Sequence, residues 1–498
     1  MNVNPITRLD YPDPDVIRVE DTYYMVSTTM HFMPGCEILQ SFDLVNWEHV
    51  TYVYETLDHT DAQQLKSGQN IYGQGMWAAS LRYHEGRFYI CFVANDTRKT
   101  YLYTSEKIDG PWKKQLIEGF YHDGSLLFDE DGRNYIVYGN DEIWITELNE
   151  DLTAPKKDGL HRLLVSDHKN PELGYEGSHI QKINGYYYIF LIHSLRDRWM
   201  RTEACFYSDS LEGEFTGGDV LCDDRGYCGQ GVAQGGIVDT PDGKWYAMLF
   251  QDSGAVGRIP ILLPVTWKDH FPFFGQNGHV PEEIEVHSTR PGYIYQPLVG
   301  SDDFCNGLLP RWQFNHDPDP RYYHLDALQG TYTITTREVC TELTQAVNTL
   351  TQRMSYPSCA AEVTVDASAL KEGDVAGLCA LQGCYAAVGI TKHHGKYEVL
   401  MLDKKEDGIL DMTEGTVVES HQMDFRLEAD FCNMKDEARC YYRVNKGDWL
   451  PIGTVHKLYF KLDHFTGCRF GLFCYAAEET GGSACFRDFK YYDVDEIS

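Results

Sequence analysis

One pattern recurs five times in the first half of the chain and constrains its fold more than any other feature. Each copy starts at a polar or aromatic residue, passes through small and apolar residues to a tight turn, and ends in an aromatic run. A tyrosine follows the starting residue by twelve positions in four copies and by eleven in the first. Spacings of 46 to 64 residues between copies indicate a repeat architecture. The starting residues are Asp13, Trp77, Asp123, Glu176 and Gln234.

Each copy has the sequence signature of two strands joined by a tight turn. The turns contain Glu85-Gly86, Asp131-Gly132, Asn184-Gly185 and Asp242-Gly243, which favour hairpins. Radially arranged blades of about four strands form a β-propeller, and five copies predict five blades. Equivalent positions of successive blades then form a ring around one axis. We therefore expect the two aspartates and the glutamate of the starting positions to meet at the central channel.

The pattern changes in the second half of the chain. A segment rich in turn residues, 287–304, separates the repeats from many short alternating strands without helical periodicity. Such strands predict a β-sandwich of the jelly-roll type. The sequence therefore predicts an all-β protein, with a propeller over residues 1–297 and a sandwich over 298–498.

The composition limits the classes of function. The 498 residues exceed a single hydrophobic core, and 75 acidic against 43 basic residues give a net charge of −32. This charge disfavours nucleic acid and anionic membranes as partners and favours an uncharged substrate. The opening MNVNPITRLD lacks the features of a signal peptide, and the 15 cysteines show no regular spacing. We expect a cytoplasmic protein with reduced thiols that does not span a membrane.

Three carboxyl groups that meet at a channel can hydrolyse a glycosidic bond with inversion. One acid protonates the leaving oxygen, and a carboxylate about 6.5–9.5 Å away deprotonates water on the opposite face of the sugar. A third acid can raise the pKa of the proton donor, because like charges disfavour a further ionisation. Any one of the three acids could equally be a turn residue, but the turns of these repeats lie elsewhere in the pattern. Trp77 in the same ring offers an apolar face to a sugar.

Several segments carry a more specific signal than the repeat itself. They include DYPDPDVIRVEDTYYMVSTTMHFMPG, GMWAASLRY, DGSLLFDEDGRNYIVY and GYEGSHIQKINGYYYIF. In this order they resemble glycoside hydrolase family 43. The resemblance extends to the second domain, because its opening DDF and closing FRDFKYYD resemble the sandwich of the family's β-xylosidases. It implies a five-bladed propeller, an inverting mechanism, and exo-acting removal of xylose or arabinose from xylan-derived chains.

The resemblance also implies roles for individual residues. Asp13, in the PDP motif, matches the general base, and Glu176, in YEGSH, matches the general acid. Asp123, in HDGSLLF, matches the aspartate that modulates the pKa of the acid. Arg258, in VGRIPI, falls where the family has an arginine near the sugar and the carboxylates. Trp77 lies in a WAP-type motif that has Ala79 in place of proline.

Three further positions are expected to contact the substrate. His31 and Phe32 lie in the loop where the family has an aromatic wall of the sugar pocket. Gln234 departs from the family, several members of which have a histidine there that helps hold a hydrated calcium ion at the propeller axis. We predict hydrogen bonding by Gln234 inside the channel and no required cofactor, while the question of calcium stays open.

The predicted function is removal of terminal xylose from xylo-oligosaccharides or arabinoxylo-oligosaccharides. An α-L-arabinofuranosidase is the nearest alternative, because the same three acids serve both reactions. A retaining enzyme for fructosides would need carboxyl groups about 5–5.5 Å apart. A non-catalytic carbohydrate-binding propeller would repeat one set of binding residues, whereas the five starting residues differ.

The resemblance also bears on assembly, because family β-xylosidases often form homo-oligomers. We expect the sandwich to dock on the propeller and to contribute a loop at the channel mouth.

Overall fold

The computed structural model describes residues 2–413 and 415–493, and its regular secondary structure is almost entirely β-strand. Five sheets of four antiparallel strands form the first domain in the order of the sequence repeats, which confirms the predicted five-bladed propeller. From the first blade to the fifth, the strands are Asp15–Val19, Thr22–Val26, Gly35–Ser41 and Glu48–Tyr54; Met76–His84, Arg87–Ala94, Lys99–Ser105 and Lys113–Ile117; Ser125–Phe128, Asn134–Asn140, Glu142–Leu148 and His161–Ser166; Glu176–Ile183, Tyr186–Ser194, Arg201–Ser208 and Thr216–Leu221; Val232–Asp239, Trp245–Asp252, Arg258–Lys268 and Phe271–Phe274.

The predicted turns join the first two strands of the blades. Glu85 and Gly86 have φ angles of 48° and 79°, and Asn184 and Gly185 have φ angles of 50° and 86°. Positive φ at both central residues is the requirement of a type I′ turn, which matches the twist of the flanking strands. The strand pattern of the repeat therefore follows from local turn chemistry and from apolar side chains that bury between neighbouring blades.

Arg82 on the innermost strand of the second blade joins four blades at the axis. Its guanidinium group is largely buried, and all five of its N–H bonds donate to oxygen atoms. Because these acceptors belong to the first four blades, one side chain fixes the positions of four inner strands. The acceptors are Asp15 Oδ2 at 2.8 Å, Leu81 O at 2.6 Å, Ser125 Oγ at 2.7 Å, Leu126 O at 2.9 Å and Ile180 O at 3.2 Å.

The fifth blade closes the ring through two other side chains. Gln181 of the fourth blade donates from Nε2 to the carbonyl oxygen of Ile237 at 2.8 Å. Arg18 of the first blade donates to the carbonyl oxygen of Asp239 at 3.1 Å and forms an ion pair with its carboxylate. The chain itself adds a further closure, because Asn2–Val3 pairs with Glu283–Ile284.

Two antiparallel sheets form the second domain, and their facing sides bury one apolar core. This confirms the predicted sandwich. One sheet contains Leu410–Met412, Lys396–Lys404, Ala386–His393, Asp374–Leu381, Arg469–Ala476, Leu350–Arg353, Gln313–Asn315 and Phe32–Met33, with Thr416–Val418 beside Lys396–Lys404. The other contains Tyr323–Asp326, Thr331–Thr335, Ser483–Asp493, Ser358–Asp366, Gln422–Asp430, Glu437–Val444 and Leu450–Lys457. Short 3₁₀ turns occur at Lys66–Gly68, Gly254–Val256, Leu343–Gln345 and Cys432–Met434.

The two domains share a β-sheet. The strand Phe32–Met33 leaves the first blade and pairs with Gln313–Asn315, so it forms the edge of a sandwich sheet. A buried ion pair also crosses the junction, where Arg353 Nη1 lies 2.9 Å from Glu37 Oε2. Burial of both charges favours a fixed orientation of the domains, because separating them would leave each charge without its partner.

The connecting segment packs on the outside of the first blade before it enters the sandwich. The amide of Thr289 donates to the carbonyl oxygen of Phe42 at 2.7 Å, and the amide of Phe42 donates to Tyr295 Oη at 2.9 Å. Asp302 then pairs with Phe489 of the sandwich. The predicted boundary between residues 297 and 298 falls within this segment. Over the part of the chain that the structure describes, no helix has the length and apolarity needed to cross a bilayer.

Replacement of Arg82 by methionine should destabilise the propeller strongly. The variant leaves Asp15 buried without its cationic partner, which costs about 3–5 kcal/mol of unfolding free energy. The measurement is denaturant unfolding at pH 7. Arg87→Met is the matched control, because Arg87 lies on the next strand, is half exposed and should change the stability by less than about 0.5 kcal/mol. Equal effects of the two substitutions would contradict a central role of Arg82.

Candidate active site

Three of the five starting residues have an unusual backbone conformation in the structure. Asp13, Asp123 and Gln234 have φ angles of 53°, 47° and 60°. The left-handed region is costly for residues other than glycine, by roughly 1–3 kcal/mol for each residue. Asp13 and Asp123 lie just before the innermost strands of their blades, and Glu176 is the first residue of its strand. Strained residues that cluster at one end of the channel are typical of a functional site.

Asp13 is held by two partners. Its Oδ1 accepts a hydrogen bond from Arg258 Nη1 at 2.9 Å, and its Oδ2 accepts one from Thr28 Oγ1 at 2.5 Å. Arg258 is the first residue of a strand in the fifth blade, and its amide donates to Asp10 Oδ1 at 2.7 Å. Arg258 Nε and Nη2 are buried and have no hydrogen-bond partner among the described residues. Buried donors normally have partners, so these two are available for the hydroxyl groups of a ligand.

Glu176 occupies the other side of the site. Its Oε2 accepts a hydrogen bond from Asn140 Nδ2 at 2.7 Å and lies 3.5 Å from His122 Nε2. The amide of Gly177 donates to Asp123 Oδ2 at 3.0 Å, so the residue after Glu176 fixes the neighbouring aspartate. Glu176 is partly exposed, whereas Asp123 is buried. Among the three carboxyl groups, Glu176 is therefore the one that faces an accessible space.

His122 places a positive charge between the two carboxyl groups. Its Nε2 lies 3.5 Å from Asp123 Oδ2 and from Glu176 Oε2. Burial disfavours the imidazolium, but Asp123 and Glu176 outweigh burial and raise the pKa of His122 to about 9. Burial, together with Glu176 and Asp13, raises the pKa of Asp123 above its usual value despite the charge of His122. Burial and neighbouring like charges therefore favour the protonated form of Asp123.

Gln234 and Trp77 complete the ring at the remaining two blades. The amide of Gln234 donates to Glu203 Oε2 at 2.7 Å, and burial raises the pKa of Glu203 well above its usual range. The side chain of Gln234 lies against Gly177, where a Cβ atom would approach it to 2.8 Å. The ring of Trp77 lies 5.8 Å from that of His122, and its Nε1 is buried without a partner in the described chain. The structure thus brings together all five starting positions and Arg258.

A loop of the sandwich covers this ring, as the sequence analysis predicted. The ring of Phe465 lies 4.4 Å from the guanidinium carbon of Arg258 and 5.5 Å from the ring of Trp77. Asp10 fixes the loop relative to the site, because its Oδ2 accepts from the amide of Gly467 at 2.8 Å while its Oδ1 accepts from Arg258. The C-terminal domain therefore contributes an aromatic wall to the channel mouth.

Sequence analysis missed four residues of the site. The position of His122 next to Asp123 was a usable signal, because neighbours of a key position also approach the axis. Asn140 lies at the end of the following strand, Glu203 lies two strands after Glu176 in the fourth blade, and Phe465 belongs to the other domain. No local pattern marks these three, because only the packing of separate elements brings them to the site.

His31 and Phe32 do not form the predicted wall of the sugar pocket. Their exposures are 0% and 1%, and both lie at the domain junction. Phe32 pairs with Asn315 in the shared sheet, and its ring lies 3.5 Å from the guanidinium carbon of Arg469. The prediction was wrong about their surroundings because the pairing of the short strand Phe32–Met33 with the sandwich buries this loop. Phe465 forms the aromatic wall instead.

His31 belongs to a buried cluster of rings from both domains. Its ring centre lies 4.7 Å from that of Tyr72, 4.9 Å from that of His316 and 5.8 Å from that of His464. His464 stacks on Tyr72 with the ring centres 3.9 Å apart. Burial lowers the pKa of His31 and His316 well below the usual value, and lowers that of His464 to about 4. All three histidines are therefore neutral in the folded protein at pH 7.

The residues at the axis do not suit a calcium ion. Calcium takes six to eight oxygen ligands, and the guanidinium of Arg82 already supplies the positive charge beneath the ring. Within residues 2–413 and 415–493, the one group with three metal-ligand side chains is His122, Asp123 and Glu176. The raised pKa of His122 favours its protonated form, which cannot ligate a metal. A metal bound by this group would also engage Asp123 and Glu176 as ligands. Gln234 offers a single amide oxygen.

Comparisons with known proteins agree with both domains. The family model for glycosyl hydrolases family 43 matches residues 3–272, and the model for the β-xylosidase C-terminal concanavalin A-like domain matches residues 301–492. A β-xylosidase of Formosa agariphila is 27% identical over 99% of this chain and 89% of its own length. A xylosidase/arabinosidase of Butyrivibrio fibrisolvens is 23% identical over 99% of both chains.

A solved structure of a bifunctional GH43-CE protein of Bacteroides eggerthii superposes with a TM-score of 0.92. It is 42% identical to this chain and covers 100% of it. The match spans 64% of that longer protein.

Because His31, His316 and His464 are buried and neutral, we expect the free energy of unfolding to fall in mild acid. The unfolded chain takes up protons below a pKa of about 6.5, whereas buried His464 resists protonation down to about pH 4, so folding weakens as the pH falls. For His464 alone, the loss amounts to about 2 kcal/mol at pH 5. His464→Phe keeps the ring stacked on Tyr72 and should make the stability profile less steep between pH 7 and pH 5, while His31 and His316 still contribute to its slope. Exposed His287, replaced by glutamine, is the control. Unfolding curves that keep the wild-type pH dependence in His464→Phe would refute this account.

Proposed function

The chain belongs to glycosyl hydrolase family 43 and is a glycosidase, and from this premise we propose that it is an inverting, exo-acting β-xylosidase. Its substrates would be xylo-oligosaccharides and arabinoxylo-oligosaccharides, from which it removes the terminal xylose. The names of the relatives support this substrate class, because they include a β-xylosidase and a xylosidase/arabinosidase.

One observation carries the proposal, namely the separate settings of Asp13 and Glu176. Asp13 is buried and bonded to Arg258 and Thr28, which suits a fixed base that acts on one water molecule. Glu176 is partly exposed and bonded to Asn140, which suits an acid that reaches a leaving group. When two carboxyl groups of one site lie in different environments, one can act as the acid and the other as the base.

The proposed reaction proceeds in one displacement. Terminal xylose lies in the ring beneath Phe465 with its apolar face on Trp77, and its hydroxyl groups accept hydrogen bonds from the free donors of Arg258. Glu176 donates its proton to the glycosidic oxygen as the bond to the anomeric carbon breaks. Asp13 takes a proton from the water that attacks the opposite face, so the configuration inverts. Asp123 and His122 set the charge around Glu176.

An α-L-arabinofuranosidase activity is the second candidate. It is supported by the printed name of the Butyrivibrio fibrisolvens relative and by the fact that the same acid and base serve both sugars. Initial rates on the 4-nitrophenyl glycosides of β-xylose and α-L-arabinofuranose would separate the two activities. A clear preference for the arabinofuranoside would replace the β-xylosidase proposal.

The test of the mechanism is the anomer of the first product. Wild-type protein incubated with xylobiose should release α-xylose first, as followed by proton NMR. Initial β-xylose would mean retention and would overturn the roles of Asp13 and Glu176. Binding of xylo-oligosaccharide without any hydrolysis would favour a carbohydrate-binding protein instead.

Substitution of the two carboxylates should produce different substrate dependences. Glu176→Gln should lower kcat/KM on xylobiose by about 10²–10⁴-fold, but much less on 2,4-dinitrophenyl β-xyloside, whose leaving group needs no proton. Asp13→Asn should lower both rates, because the water must be deprotonated with either substrate. If Glu176→Gln impaired both substrates equally, Glu176 would not be the general acid. Melting temperatures of the variants control for misfolding.

We also propose that the reaction needs no bound metal and takes place in the cytoplasm. The proposal about metals rests on Arg82 at the axis and on the imidazolium of His122 between the carboxyl groups. Dialysis against EDTA should leave kcat/KM within about twofold of its starting value, since each electrostatic role is filled by a side chain. A loss of activity that added calcium restores would contradict the proposal about metals.

The proposed location in the cytoplasm is supported by the 15 cysteines, all of which are free thiols.

A further inference from the structure

Glu203 is an acid that is buried in the fourth blade without a cationic partner. It lies on the third strand of that blade, its exposure is 0%, and no ion pair of the described residues includes it. The residue opposite it on the second strand is Ile192, which belongs to a buried apolar cluster with Ala233 and Phe250. An acid in such surroundings destabilises the fold unless it is neutral and hydrogen-bonded.

The hydrogen bonding of Glu203 fits a neutral carboxyl group. Burial raises its pKa well above the usual range, so it keeps its proton at pH 7. Its Oε2 accepts from the amide of Gln234 at 2.7 Å, whereas its buried Oε1 has no partner among the residues that the structure describes. A neutral carboxyl group has one oxygen that accepts and one that carries the proton, which matches this division. Glu203 therefore serves as the acceptor for one main-chain amide.

The amide that Glu203 binds lies in a β-bulge. The register of the innermost strand in the fifth blade shifts between Ala233 and Gly236, so Gln234 has no opposite residue in the ladder. A bulge leaves its extra residue unpaired and changes the direction of its side chain. The φ angle of Gln234 is 60°, in the left-handed region. Glu203 thus supplies the acceptor that the sheet does not supply, and it fixes a strained part of the main chain.

Gln234 transmits this constraint to the residue that follows Glu176. Its side chain lies directly over Gly177, where φ is 64° and a Cβ atom would approach Gln234 Cγ and Cδ to 2.8 Å. The amide of Gly177 in turn donates to Asp123 Oδ2 at 3.0 Å. Gly177 also lies in a bulge, because the register of the fourth blade shifts between Glu176 and His179. The main chain after Glu176 is therefore supported by Gln234 and Asp123 in place of a ladder partner.

We propose that Glu203 is a positioning residue for the general acid. It fixes the main chain of Gln234, and Gln234 holds Gly177, and with it Glu176, in the reactive geometry. The inference rests on the proposed function of Glu176. Glu203 acts without contact to the substrate, because its carboxyl group is buried within the blade. A displacement of about 1 Å at a catalytic group can lower a rate by about 100-fold, so an indirect role of this kind is measurable.

The kinetic test compares a leaving group that needs an acid with one that does not. Glu203→Met keeps the approximate size of the side chain but removes the acceptor, and it should lower kcat/KM on xylobiose by about 10–100-fold. On 2,4-dinitrophenyl β-xyloside, kcat/KM should fall by less than about threefold, because this leaving group departs without a proton. Glu203→Gln keeps an acceptor oxygen and should stay within about threefold of the wild type on both substrates.

Glu147→Met is the matched control. Glu147 is also a buried glutamate on the third strand of its blade, and its Oε2 accepts from the amide of Leu160 at 3.0 Å. That amide lies outside the ring, so the ratio of the two rates should be that of the wild type. The positioning role would be overturned if Glu203→Met lost equal activity on both substrates or none on xylobiose. It would also be overturned if Glu203→Gln behaved like Glu203→Met, or if Glu147→Met changed the ratio in the same way.

Hydrogen exchange of the main-chain amides provides a measurement that does not depend on hydrolysis. Mass spectrometry of peptic fragments should show faster exchange in Glu203→Met in two fragments, the one that contains Gln234 and the one that contains Gly177. Glu203→Gln should exchange like the wild type in both. Faster exchange at Gln234 alone would overturn the connection to Gly177. If the wild type hydrolysed no glycoside, the proposed function would fail, but exchange at Gly177 would still decide whether Glu203 positions this part of the ring.

Discussion

Every blade of the propeller except the fifth depends directly on the guanidinium of Arg82. A ring of five separate sheets has no continuous hydrogen bonding from one sheet to the next, so something at the axis must hold the inner strands in register. Arg82 does this with all of its N–H donors, and its charge is balanced by Asp15. His179 adds a contact of 3.1 Å from its Nδ1 to the other oxygen of Asp15. The candidate active site adjoins this layer, because Asp13 and Asp15 are two residues apart in the chain.

The residues at or near the starts of the innermost strands contribute to both the fold and the candidate site. In three of the five blades the starting residue, Asp13, Asp123 or Gln234, has a left-handed backbone conformation at or near the start of the innermost strand. The cost of these conformations is offset by the packing of whole blades and by specific partners, such as the bond from Gln234 to Glu203. The candidate catalytic carboxyl groups thus occupy positions that the architecture already repeats, and the presence of four residue types at the five positions yields one composite site.

The sandwich contributes residues to the candidate active site. Its loop covers the ring with Phe465, and Asp10 ties that loop to Arg258 through its two carboxylate oxygens. The shared strand Phe32–Met33 and the buried pair of Arg353 with Glu37 fix the orientation in which this contact is made. The buried histidine cluster at the junction links the stability of the folded protein to pH. The loop with Phe465 at the channel mouth is consistent with the proposed action at chain ends.

The sequence by itself determined the propeller, the sandwich and the ring of starting residues, because turn chemistry and strand alternation are local and because a repeat places equivalent positions around one axis. The proposed roles of Asp13, Asp123, Glu176 and Arg258 came from the resemblance of the motifs that contain them to those of the family. Only the tertiary structure decided what surrounds them. His31 and Phe32 lie at the domain junction, and Phe465 lies at the candidate site. Neither location could be predicted, because the pairing of strands between domains produces no recognisable pattern in either sequence segment. The partners of Asp13 and Glu176 were likewise decided by packing, because hydrogen bonds between blades depend on distances that spacing along the chain does not specify.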